Sequence, residues 1–381
     1  MNSQRMKILC VTDSFGSGGA QRQMVNLACG LKQRGHEVEF FIYFPQKSFF
    51  RKQVEELGIP IHEFQKGRGF SLELIRRLVI LIRKNYYHIV LSFLDNPNIY
   101  AELSSILSPS SKFVVSERCS HLEEKGFINA LIKRNLHRLA SHLVTNSIAH
   151  REWLQKKFPW LKEKVSTIYN GLDVRFYLGL PNPPHKKKDL KLIAVGRIGL
   201  QKNLICFIKA LHIFQQTYGW APSVSWVGRR ETVTSKDREY CQQVDDLLKS
   251  LPEVKKSWAW LGERSDVPTL LEKHHALILP SFYEGLPNVV CEALAAGRPV
   301  LVSDVCDNAL LVPDGERGFL FDPSAPETIA KAINQLLALK NDEWVRISKM
   351  ARQYAETSLS IDRLVTEYED LFMRLTNRSC E

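Results

Sequence analysis

The chain has 381 residues, of which 44% are hydrophobic, so it can form two domains of about 150 to 200 residues each and is neither disordered nor fibrous. The net charge of +11 comes entirely from residues 1–180, which contain 26 Lys+Arg and 15 Asp+Glu, whereas residues 181–381 contain 26 of each kind. This asymmetry indicates an anionic partner for the first half, such as lipid headgroups or a diphosphate-linked acceptor, and no helix-turn-helix, zinc-finger or RNP motif points to nucleic acid instead.

The sequence patterns predict neither a secretion signal nor a membrane-spanning helix. No apolar run reaches the roughly 18 residues of a membrane-spanning helix, and the start MNSQRMKILC leads directly into a strand pattern. The eight cysteines show no C-x-x-C and no paired Cys/His spacing, which argues against a zinc site or a disulfide framework. We therefore expect a cytoplasmic protein, peripheral at most on the inner face of the cytoplasmic membrane.

The first half alternates predicted strands and helices. Strands are predicted at 7–12, 37–44, 60–64, 88–93, 112–116, 143–146 and 165–169, and helices at 20–32, 48–57, 71–83, 97–107 and 148–157. Short connections between them are typical of a parallel sheet covered on both faces. The Gly-rich first turn does not fit G-x-G-x-x-G, and the second strand ends without an acidic residue, which argues against an NAD-dependent enzyme.

Two predicted helices of this half, 71–84 and 126–140, are both basic and apolar. Each could lie on a membrane surface or simply cover the sheet with its cations at the solvent edge. The covering role is favoured for the first helix. Both interpretations stay open for the second, which combines basic and bulky apolar side chains: Lys133, Arg134, His137 and Arg138 with Phe127, Ile128, Leu131 and Ile132.

The second half starts after a Pro- and Lys-rich linker, 181–189. A strand at 190–195 ends in GRIGLQKN, so Arg197 and Lys202 lie at its carboxyl tip, where two cations can neutralise a departing nucleoside diphosphate. Further strands are predicted at 224–227 and 258–261, with a helix at 237–248 between them. His274 and His275 are interpreted as helix-end residues rather than metal ligands, because no further ligand stands at suitable spacing.

The segment 276–304, ALILPSFYEGLPNVVCEALAAGRPVLVSD, predicts a strand, a tight loop, a helix from about 287 to 296 and another strand. Pro287 suits a first helical position, and Gly297 suits a left-handed cap after the helix. Glu284 then lies in the loop and Glu292 on the helix. A loop beyond a strand end, next to a helix N-terminus, is where open α/β sheets bind anionic ligands, and a helical carboxylate can bind a ribose diol. Helices at 326–339, 343–356 and 361–374 follow a last strand at 318–321.

Glu284 and Glu292, with the intervening seven residues, and the run PSFYEGLPNVVCEALAAGRPVLVSD resemble the signature of retaining glycosyltransferases of family 4. The turn Asn170-Gly171-Leu172-Asp173 matches the N-G-x-D with which such proteins leave their first domain. The resemblance covers nearly the whole chain. It implies a GT-B fold: two Rossmann-like α/β domains with parallel sheets facing across a cleft. The expected domains are 1–180 for the acceptor, 181–360 for the donor, and 361–381 as a helix crossing back onto the first.

The resemblance also implies roles for the candidate residues of the second domain. Arg197 and Lys202 match the pair that binds the donor diphosphate, and Glu292 would bind the ribose. Glu284 would bind the donor sugar, so Glu284, Arg197 and Lys202 are the predicted catalytic residues. The backbone of the loop would contribute to donor binding at Gly285, Leu286, Pro287 and Asn288, with amide donors from the residues other than proline. No metal or other cofactor is expected.

In the first domain, the resemblance places Gly18 and Gly19 opposite the donor phosphates. Many family members carry a His near 116–121 that contacts the donor sugar, but this chain has Glu117 and Arg118 there, with His121 slightly later. Arg118 is therefore predicted either to bind a phosphate or an acceptor diphosphate, or to form a structural ion pair with Glu117 or another carboxylate. His121 is predicted to cap or solvate its loop rather than to act as a base. A second departure is the stretch 306–310, which replaces the usual Gly-Gly turn and puts a donor-phosphate contact from this loop in doubt.

The function that the resemblance implies is the retaining transfer of a hexose or N-acetylhexosamine from a nucleotide-diphosphate sugar to a saccharide or polyprenyl-diphosphate-linked acceptor of O-antigen lipopolysaccharide or capsule. A UDP-sugar is the expected donor. The basic first domain would face the acceptor and an anionic membrane. Two alternatives stay open: a nucleotide-sugar epimerase of the same fold, and a non-catalytic sugar-binding protein.

Overall fold

The computed structural model describes residues 5–118, 133–230 and 234–377 and divides the chain into two compact units. One unit combines Met1–Leu172 with Ser360–Glu381, and the other is Asp173–Leu359. The segment 173–180 thus lies in the second unit, and the last helix lies in the first. The part of helix 126–140 that carries Phe127, Ile128, Leu131 and Ile132 lies outside the described residues, as does His121.

The first unit is built on a seven-stranded parallel sheet of order β3-β2-β1-β4-β5-β6-β7. Its strands are β1 Lys7–Thr12, β2 Glu37–Ile42, β3 Ile61–Glu63, β4 Ile89–Phe93, β5 Lys112–Glu117, β6 His142–Thr145 and β7 Val165–Thr167. Its helices are Gly19–Gln33, Arg51–Glu56, Leu72–Asn85, Asp95–Ser105, Ile148–Lys157 and Ile361–Asn377. The predicted α/β class and parallel sheet are confirmed. The helix predicted at 48–57 is shorter at both ends, because the chain turns at Phe50 and Leu57.

Local sequence explains the helix Leu72–Asn85. The Ser71 hydroxyl accepts a hydrogen bond from the Leu74 amide at 3.2 Å, which satisfies one of the amides that a helix start leaves without a partner. Leu74, Leu78 and Ile82 recur at the spacing of one helical face and are buried in the core of this unit. The helix ends at Tyr86, which adopts the left-handed conformation with φ 52°.

The second unit is built on a six-stranded parallel sheet of order β10-β9-β8-β11-β12-β13. Its strands are β8 Lys191–Val195, β9 Ser223–Val227, β10 Trp258–Gly262, β11 Ala276–Leu279, β12 Val300–Ser303 and β13 Gly318–Phe321. Its helices are Leu204–Tyr218, Ser235–Ser250, Pro252–Lys256, Val267–Lys273, Asn288–Ala295, Asn308–Leu311, Pro326–Ala338 and Asn341–Ser358. Strand β8 lies at the sheet centre, where the strand order reverses, which is where open α/β sheets form their ligand crevice.

The last helix, Ile361–Asn377, is fastened to the first unit by polar contacts as well as by apolar packing. The His36 ring lies 2.7 Å from the Glu369 carboxylate, and Arg34 binds the same carboxylate. Tyr368 is buried and accepts a hydrogen bond from the Arg118 guanidinium at 2.7 Å. A Cβ on Gly30 would lie 2.4 Å from Val365 Cγ2, so the first and last helices pack too closely for a larger side chain at that position.

A buried charge cluster lies at the carboxyl tip of β5. The Glu117 carboxylate binds the His137 ring at 2.9 Å and the His150 ring at 2.7 Å, with the Arg134 guanidinium at 3.4 Å. The second nitrogen of His137 binds the buried Glu102 carboxylate. Burial alone would raise the pKa of Glu117, but hydrogen bonds from His137 and His150 outweigh it and hold that pKa well below its usual value.

This cluster corrects the membrane-facing interpretation of the basic segment around 133–138. Arg134 and His137 are each only 1% exposed, and the Lys133 ammonium binds Asp95 at 2.7 Å and approaches Glu117. Only Arg138 is exposed, and its guanidinium lies over the Trp160 ring. The reason is that a carboxylate buried at a strand tip requires cations around it, and the neighbouring segment supplies them.

The stability of this unit is expected to fall as the pH rises through about 9. Burial lowers the pKa of His137, but the hydrogen bonds to Glu102 and Glu117 outweigh burial and raise it to about 9, above the ordinary 6.5. A group with a raised folded-state pKa stabilises the protein fully below its unfolded pKa, and that contribution, on the order of 3 kcal/mol, is lost as pH rises through the folded value. Urea unfolding at pH 6.5 and above pH 9 measures it. The His137→Gln variant should lose most of this pH dependence; an unchanged dependence would contradict the assignment.

Candidate active site

The loop after β8 is held in a fixed shape by Asn203. This residue adopts the left-handed conformation, with φ 54°, and its side-chain amide donates to the carbonyls of Pro280 at 3.0 Å and Pro323 at 2.6 Å. The short 3-10 helix Leu200–Lys202 precedes it. Because Pro280 directly follows β11, these bonds join the tips of two neighbouring strands and place the loop after β8 beside the loop that carries Glu284.

The tips of β8 and β9 also meet closely, at two glycines. A Cβ on Gly228, where φ is 147°, would lie 2.0 Å from the Gly196 carbonyl oxygen, so this position requires glycine. The Trp226 indole donates to the same carbonyl at 2.8 Å. The loops that follow β8 and β9 are therefore in close backbone contact at the carboxyl edge of the sheet.

The central contact of the candidate site joins Lys202 to Glu284. The Lys202 ammonium lies 2.5 Å from a Glu284 carboxylate oxygen, and the two side chains are only 13% and 9% exposed. The residues are 82 positions apart in sequence and come from the loops after β8 and β11. The sequence predicted separate roles for them, at the phosphates and at the sugar; the structure shows that they form one charge-assisted hydrogen bond.

Gln201 connects Arg197 to the same loop. Its side-chain oxygen accepts from the Arg197 guanidinium at 3.2 Å, and its side-chain amide donates to the Tyr283 carbonyl at 2.9 Å. Its backbone carbonyl accepts from the Phe282 amide, also at 2.9 Å. Gln201 was not singled out from the sequence, although it stands directly before Lys202 in the G-L-Q-K-N stretch. It positions both Arg197 and the loop that carries Glu284.

Replacing Gln201 by alanine is expected to lower turnover about tenfold while the protein stays folded, because Arg197 and the 282–284 loop lose a shared anchor worth one or two hydrogen bonds. Steady-state kinetics with the fold checked by circular dichroism measure this. Gln201→Glu, which can still accept from Arg197 but cannot donate to Tyr283, should restore part of the activity. Gln243→Ala, on the exposed face of Ser235–Ser250, is the matched control. A Gln201→Ala variant with unchanged turnover would show that the bridge is not needed.

Glu292 lies in the helix Asn288–Ala295, eight residues after Glu284, and is 6% exposed. Pro287 is the residue before the helix rather than its first residue, which corrects the sequence prediction by one position. Its carbonyl accepts from the Val290 amide, and that bond closes the first turn. Gly297 has φ 65°, which confirms the predicted left-handed residue after the helix.

The other end of this helix is tied to the segment that enters the second unit. The Arg352 guanidinium donates to the carbonyls of Ala295, Val174 and Tyr177 at 2.7, 3.0 and 2.8 Å. Carbonyls at a helix C-terminus lack intrahelical partners and carry partial negative charge, so a cation there stabilises the helix. Arg352 thus supports, from a distance, the helix on which Glu292 stands.

The stretch 306–310 contains no Gly-Gly turn but forms the start of a short helix, Asn308–Leu311. Cys306 has φ 51°, and the buried Asn308 amide donates to the Ser303 carbonyl at 2.9 Å. The Ser303 hydroxyl donates to the Ser281 carbonyl at 2.5 Å. The carboxyl tips of β11 and β12 are thus joined by side chains.

The predicted residues of the first unit have the following surroundings. Gly18 precedes the helix Gly19–Gln33 with φ −69° and ψ 151°, and both glycines are exposed. A Cβ on Gly18 would lie 2.2 Å from the Gln21 side-chain oxygen. Gln21 in turn donates to Asp13 at 2.9 Å, so its room to move is limited. The donor-binding role of Gly18 and Gly19 stays a prediction.

Arg118 is engaged inside the first unit. Its guanidinium donates to Asn170 at 2.8 Å and to Tyr368 at 2.7 Å, and it stacks on the Phe93 ring at 3.9 Å. The ion pair with Glu117 that the sequence allowed is not formed: among the described residues, Glu117 binds Lys133, Arg134 and two histidines instead, while Arg118 binds neutral groups. Burial lowers the pKa of Arg118. This arrangement links β5, the N-G-x-D turn and the last helix; a phosphate-binding role for Arg118 stays a prediction.

The histidine pair before β11 has structural partners. His274 ends the helix Val267–Lys273, and its ring lies 2.7 Å from the Leu270 carbonyl and 2.9 Å from the Ser225 hydroxyl. The His275 ring accepts from the Lys191 amide at 2.8 Å. The helix-end interpretation is therefore confirmed for His274. Within residues 5–118, 133–230 and 234–377, no cluster of three or more His, Cys, Asp or Glu side chains could hold a metal ion.

Comparison with known families divides the chain in the same way as its two sheets. Residues 17–176 match the model described as Glycosyltransferase Family 4, and residues 181–356 match the model described as Glycosyl transferases group 1. The two matches adjoin one another and together span most of the sequence. Both Glu284 and Glu292 fall in the second match, as do Arg197 and Lys202.

Two curated relatives of this chain come from Escherichia coli and Campylobacter jejuni. The chain is 29% identical over 223 residues to the Escherichia coli UDP-Gal:alpha-D-GlcNAc-diphosphoundecaprenol alpha-1,3-galactosyltransferase, covering 55% of this chain and 54% of that protein. It is 24% identical over 348 residues to a Campylobacter jejuni alpha-1,4-N-acetyl-D-galactosaminyltransferase whose name includes a PP-undecaprenol acceptor, covering 89% and 90%. The alignment with the first of these thus spans about half its length, and that with the second nearly all.

Solved structures share the fold over nearly the full length. The chain is similar to a UDP complex of Alr3699/HepE from Anabaena, with a TM-score of 0.79 and 20% identity over 97% of this chain and 100% of that one. A glycosyltransferase from Rickettsia africae gives a TM-score of 0.83 and 16% identity over 98% and 99%. Because the sequence identities are only 20% and 16%, the similarity shows the fold alone. The predicted GT-B fold class is confirmed.

Proposed function

This chain belongs to the glycosyltransferases that join a Family 4 domain to a group 1 domain, and on that basis we propose that it transfers a hexose or N-acetylhexosamine from a UDP-sugar to a saccharide or polyprenyl-diphosphate-linked acceptor during bacterial surface-polysaccharide synthesis. The observation that carries the proposal is the Lys202–Glu284 pair, held beside Arg197 by Gln201 at the carboxyl tips of β8 and β11. The names of the Escherichia coli and Campylobacter jejuni relatives, both with undecaprenol-linked acceptors, support the acceptor class.

In the proposed reaction, Lys202 and Arg197 bind the donor diphosphate and stabilise the negative charge that develops on it as the bond to the sugar breaks. The diphosphate competes with Glu284 for Lys202, so donor binding frees the Glu284 carboxylate for the sugar hydroxyls. Glu292 binds the ribose. This division of roles uses two cations and two carboxylates, all from the second unit, and requires no metal ion.

We further propose retention of the anomeric configuration, as in the family that the signature resembles. The acceptor hydroxyl attacks the anomeric carbon on the face from which the diphosphate departs. The bond from that carbon to the phosphate oxygen breaks, a bond to the acceptor oxygen forms, and the hydroxyl proton passes to the departing phosphate. No dedicated basic side chain is needed for this step.

Thermal stabilisation by a panel of nucleotide sugars tests donor binding. A ligand that binds only the folded protein stabilises it by about 2.7 kcal/mol at a hundredfold excess over its Kd, so the true donor should raise the Tm most. Glu292→Ala should weaken nucleotide binding about tenfold or more by removing the ribose contacts, whereas Glu253→Ala, an exposed control, should not. Unchanged affinity in Glu292→Ala would remove the ribose assignment.

Product analysis completes the test. Incubation of the stabilising donor with a polyprenyl-diphosphate-linked saccharide should yield an acceptor extended by one sugar with the donor's anomeric configuration, read by mass spectrometry and NMR. Conversion of the sugar without any acceptor would indicate an epimerase instead. Tight donor binding with no transfer to any acceptor would indicate a sugar-binding protein.

A further inference from the structure

We infer that the first unit docks on the anionic surface of a lipid bilayer through one exposed face, called here the docking face, formed by Leu72, Arg76, Ile80, Arg83, Ile106 and Leu107. The inference rests on the proposed function to the extent that a polyprenyl-linked acceptor lies in a membrane. It assigns the contact to the helix Leu72–Asn85 and the turn after Asp95–Ser105. It does not assign it to the basic segment around 133–138, where Arg134 and His137 are buried and Lys133 is paired with Asp95.

The docking face exposes more aliphatic side chains than the helix needs in order to cover the sheet. Leu72 is 74% exposed, Ile106 60%, and Ile80 and Leu107 50% each. The same helix already buries Leu74, Leu78 and Ile82 on its other side, so the exposed aliphatic residues are additional to those the core uses. Contiguous exposed apolar surface on a folded protein marks a site of contact with another molecule or a membrane.

The members of the docking face are adjacent to one another. Leu72, Arg76, Ile80 and Arg83 follow one another at spacings of four, four and three residues, which places them in a row along one side of the helix. The Arg83 guanidinium donates to the Leu107 carbonyl at 2.7 Å, so the turn with Ile106 and Leu107 lies directly beside the end of that row.

The charge of the docking face identifies the partner as anionic. The helix contains four cations, Arg76, Arg77, Arg83 and Lys84, against one carboxylate, Glu73, which gives a net charge of +3. Glu73 binds Arg76 and Arg77, while Arg83 and Lys84 form no ion pair with any described residue. Basic residues near an anionic leaflet are attracted to it, and long basic side chains can extend to the headgroups while aliphatic ones insert.

The mixture of residues favours a bilayer over a protein partner. The core of a protein–protein interface is depleted of charge and enriched in aromatic anchors. Here cations alternate with aliphatic side chains along the same row, the pattern of a helix that lies in the headgroup region. Aromatic residues stand at both ends of the helix: Phe70, 58% exposed and stacked on Tyr100, and Tyr86, 79% exposed. Such residues are typical of the membrane–water boundary.

Vesicle sedimentation of the full-length protein tests this inference. Vesicles that contain phosphatidylglycerol should bind the protein at least tenfold more tightly than vesicles of phosphatidylcholine alone, and added salt should weaken the binding. Leu72→Glu should reduce binding about tenfold or more, and Arg83→Glu should reduce it to a similar extent. The matched controls are Phe49→Glu and Lys52→Glu, which replace an exposed apolar and an exposed basic residue of the same unit outside the docking face.

Each outcome of the vesicle experiment either supports or overturns the docking inference. Absence of binding to phosphatidylglycerol vesicles, equal binding to both vesicle types, or equal losses in Leu72→Glu and Phe49→Glu would overturn the inference. Circular dichroism and urea midpoints establish that all four variants are folded. Thermal stabilisation by the donor should be the same in Leu72→Glu as in the unchanged protein, so a failure of donor binding, which would count against the glycosyltransferase proposal, is read separately from a failure of docking.

Discussion

Replacing Lys202 by alanine is expected to lower kcat about 10²- to 10³-fold. Removing one preorganised charge or donor that stabilises a developing negative charge typically has an effect of this size. In this protein the ammonium lies 2.5 Å from Glu284 in a largely buried setting, so its position is fixed before the donor arrives and water competes little for it. Steady-state transfer kinetics at saturating donor measure the effect.

Two controls separate chemistry from folding in this experiment. Loss of Lys202 leaves the buried Glu284 carboxylate without its cation, which by itself destabilises the unit. Lys202→Arg keeps the positive charge and should therefore retain more activity than Lys202→Ala. The activities are compared at a temperature at which both variants are folded. Lys256→Ala removes an exposed lysine of the same unit and should change nothing. If Lys202→Ala turns over at the rate of the unchanged protein, the assignment of Lys202 to the diphosphate is wrong.

The largest loss of stability is expected for Glu117→Gln. Glu117 is 2% exposed and is the shared partner of His137, His150 and Arg134. Neutralising it removes the negative charge that His137 and Arg134 face in the buried cluster, and breaking a buried ion pair typically costs about 3 to 5 kcal/mol. Urea unfolding at neutral pH measures it, and the exposed Glu55→Gln supplies the control.

The expected loss for Glu117→Gln also has a pH signature. A carboxyl group with a lowered folded-state pKa contributes stability above its ordinary value, and the contribution disappears as the pH falls through the folded value. The unchanged protein should therefore lose stability on acidification, and the difference between it and Glu117→Gln should shrink at low pH. A loss below about 1 kcal/mol at neutral pH would mean that the cluster is as weak as a surface ion pair.

Much of this fold follows from short-range patterns. Apolar runs such as IVLSF and ALIL are buried strands at the positions that their length and composition predict. Ser71 and Gly297 mark helix ends because a hydroxyl can cap an amide and a glycine can adopt positive φ without strain. The run around Glu284 and Glu292 indicated the glycosyltransferase family, since it resembles the family signature across one loop and one helix.

Pairings between distant residues did not follow from those patterns. Gln201 looked like one polar residue among several in a loop, and its importance comes from Tyr283, 82 positions later. Arg134 and His137 resembled a surface cluster in the sequence. Periodicity cannot reveal that both bind the Glu117 carboxylate at the tip of β5. Arg118 faces Tyr368, 250 positions away, in a helix whose place in the first unit is a property of the whole chain.

The sequence by itself determined the α/β class, the two parallel sheets and the membership of the family, because strand length, helix ends and motif spacing are local properties of the chain. Only the tertiary structure decided which charged groups meet: Lys202 with Glu284, and Glu117 with His137 and Arg134. The reason is that hydrogen bonds and ion pairs act over about 3 Å, and only the folded backbone brings residues from separate strand tips within that distance.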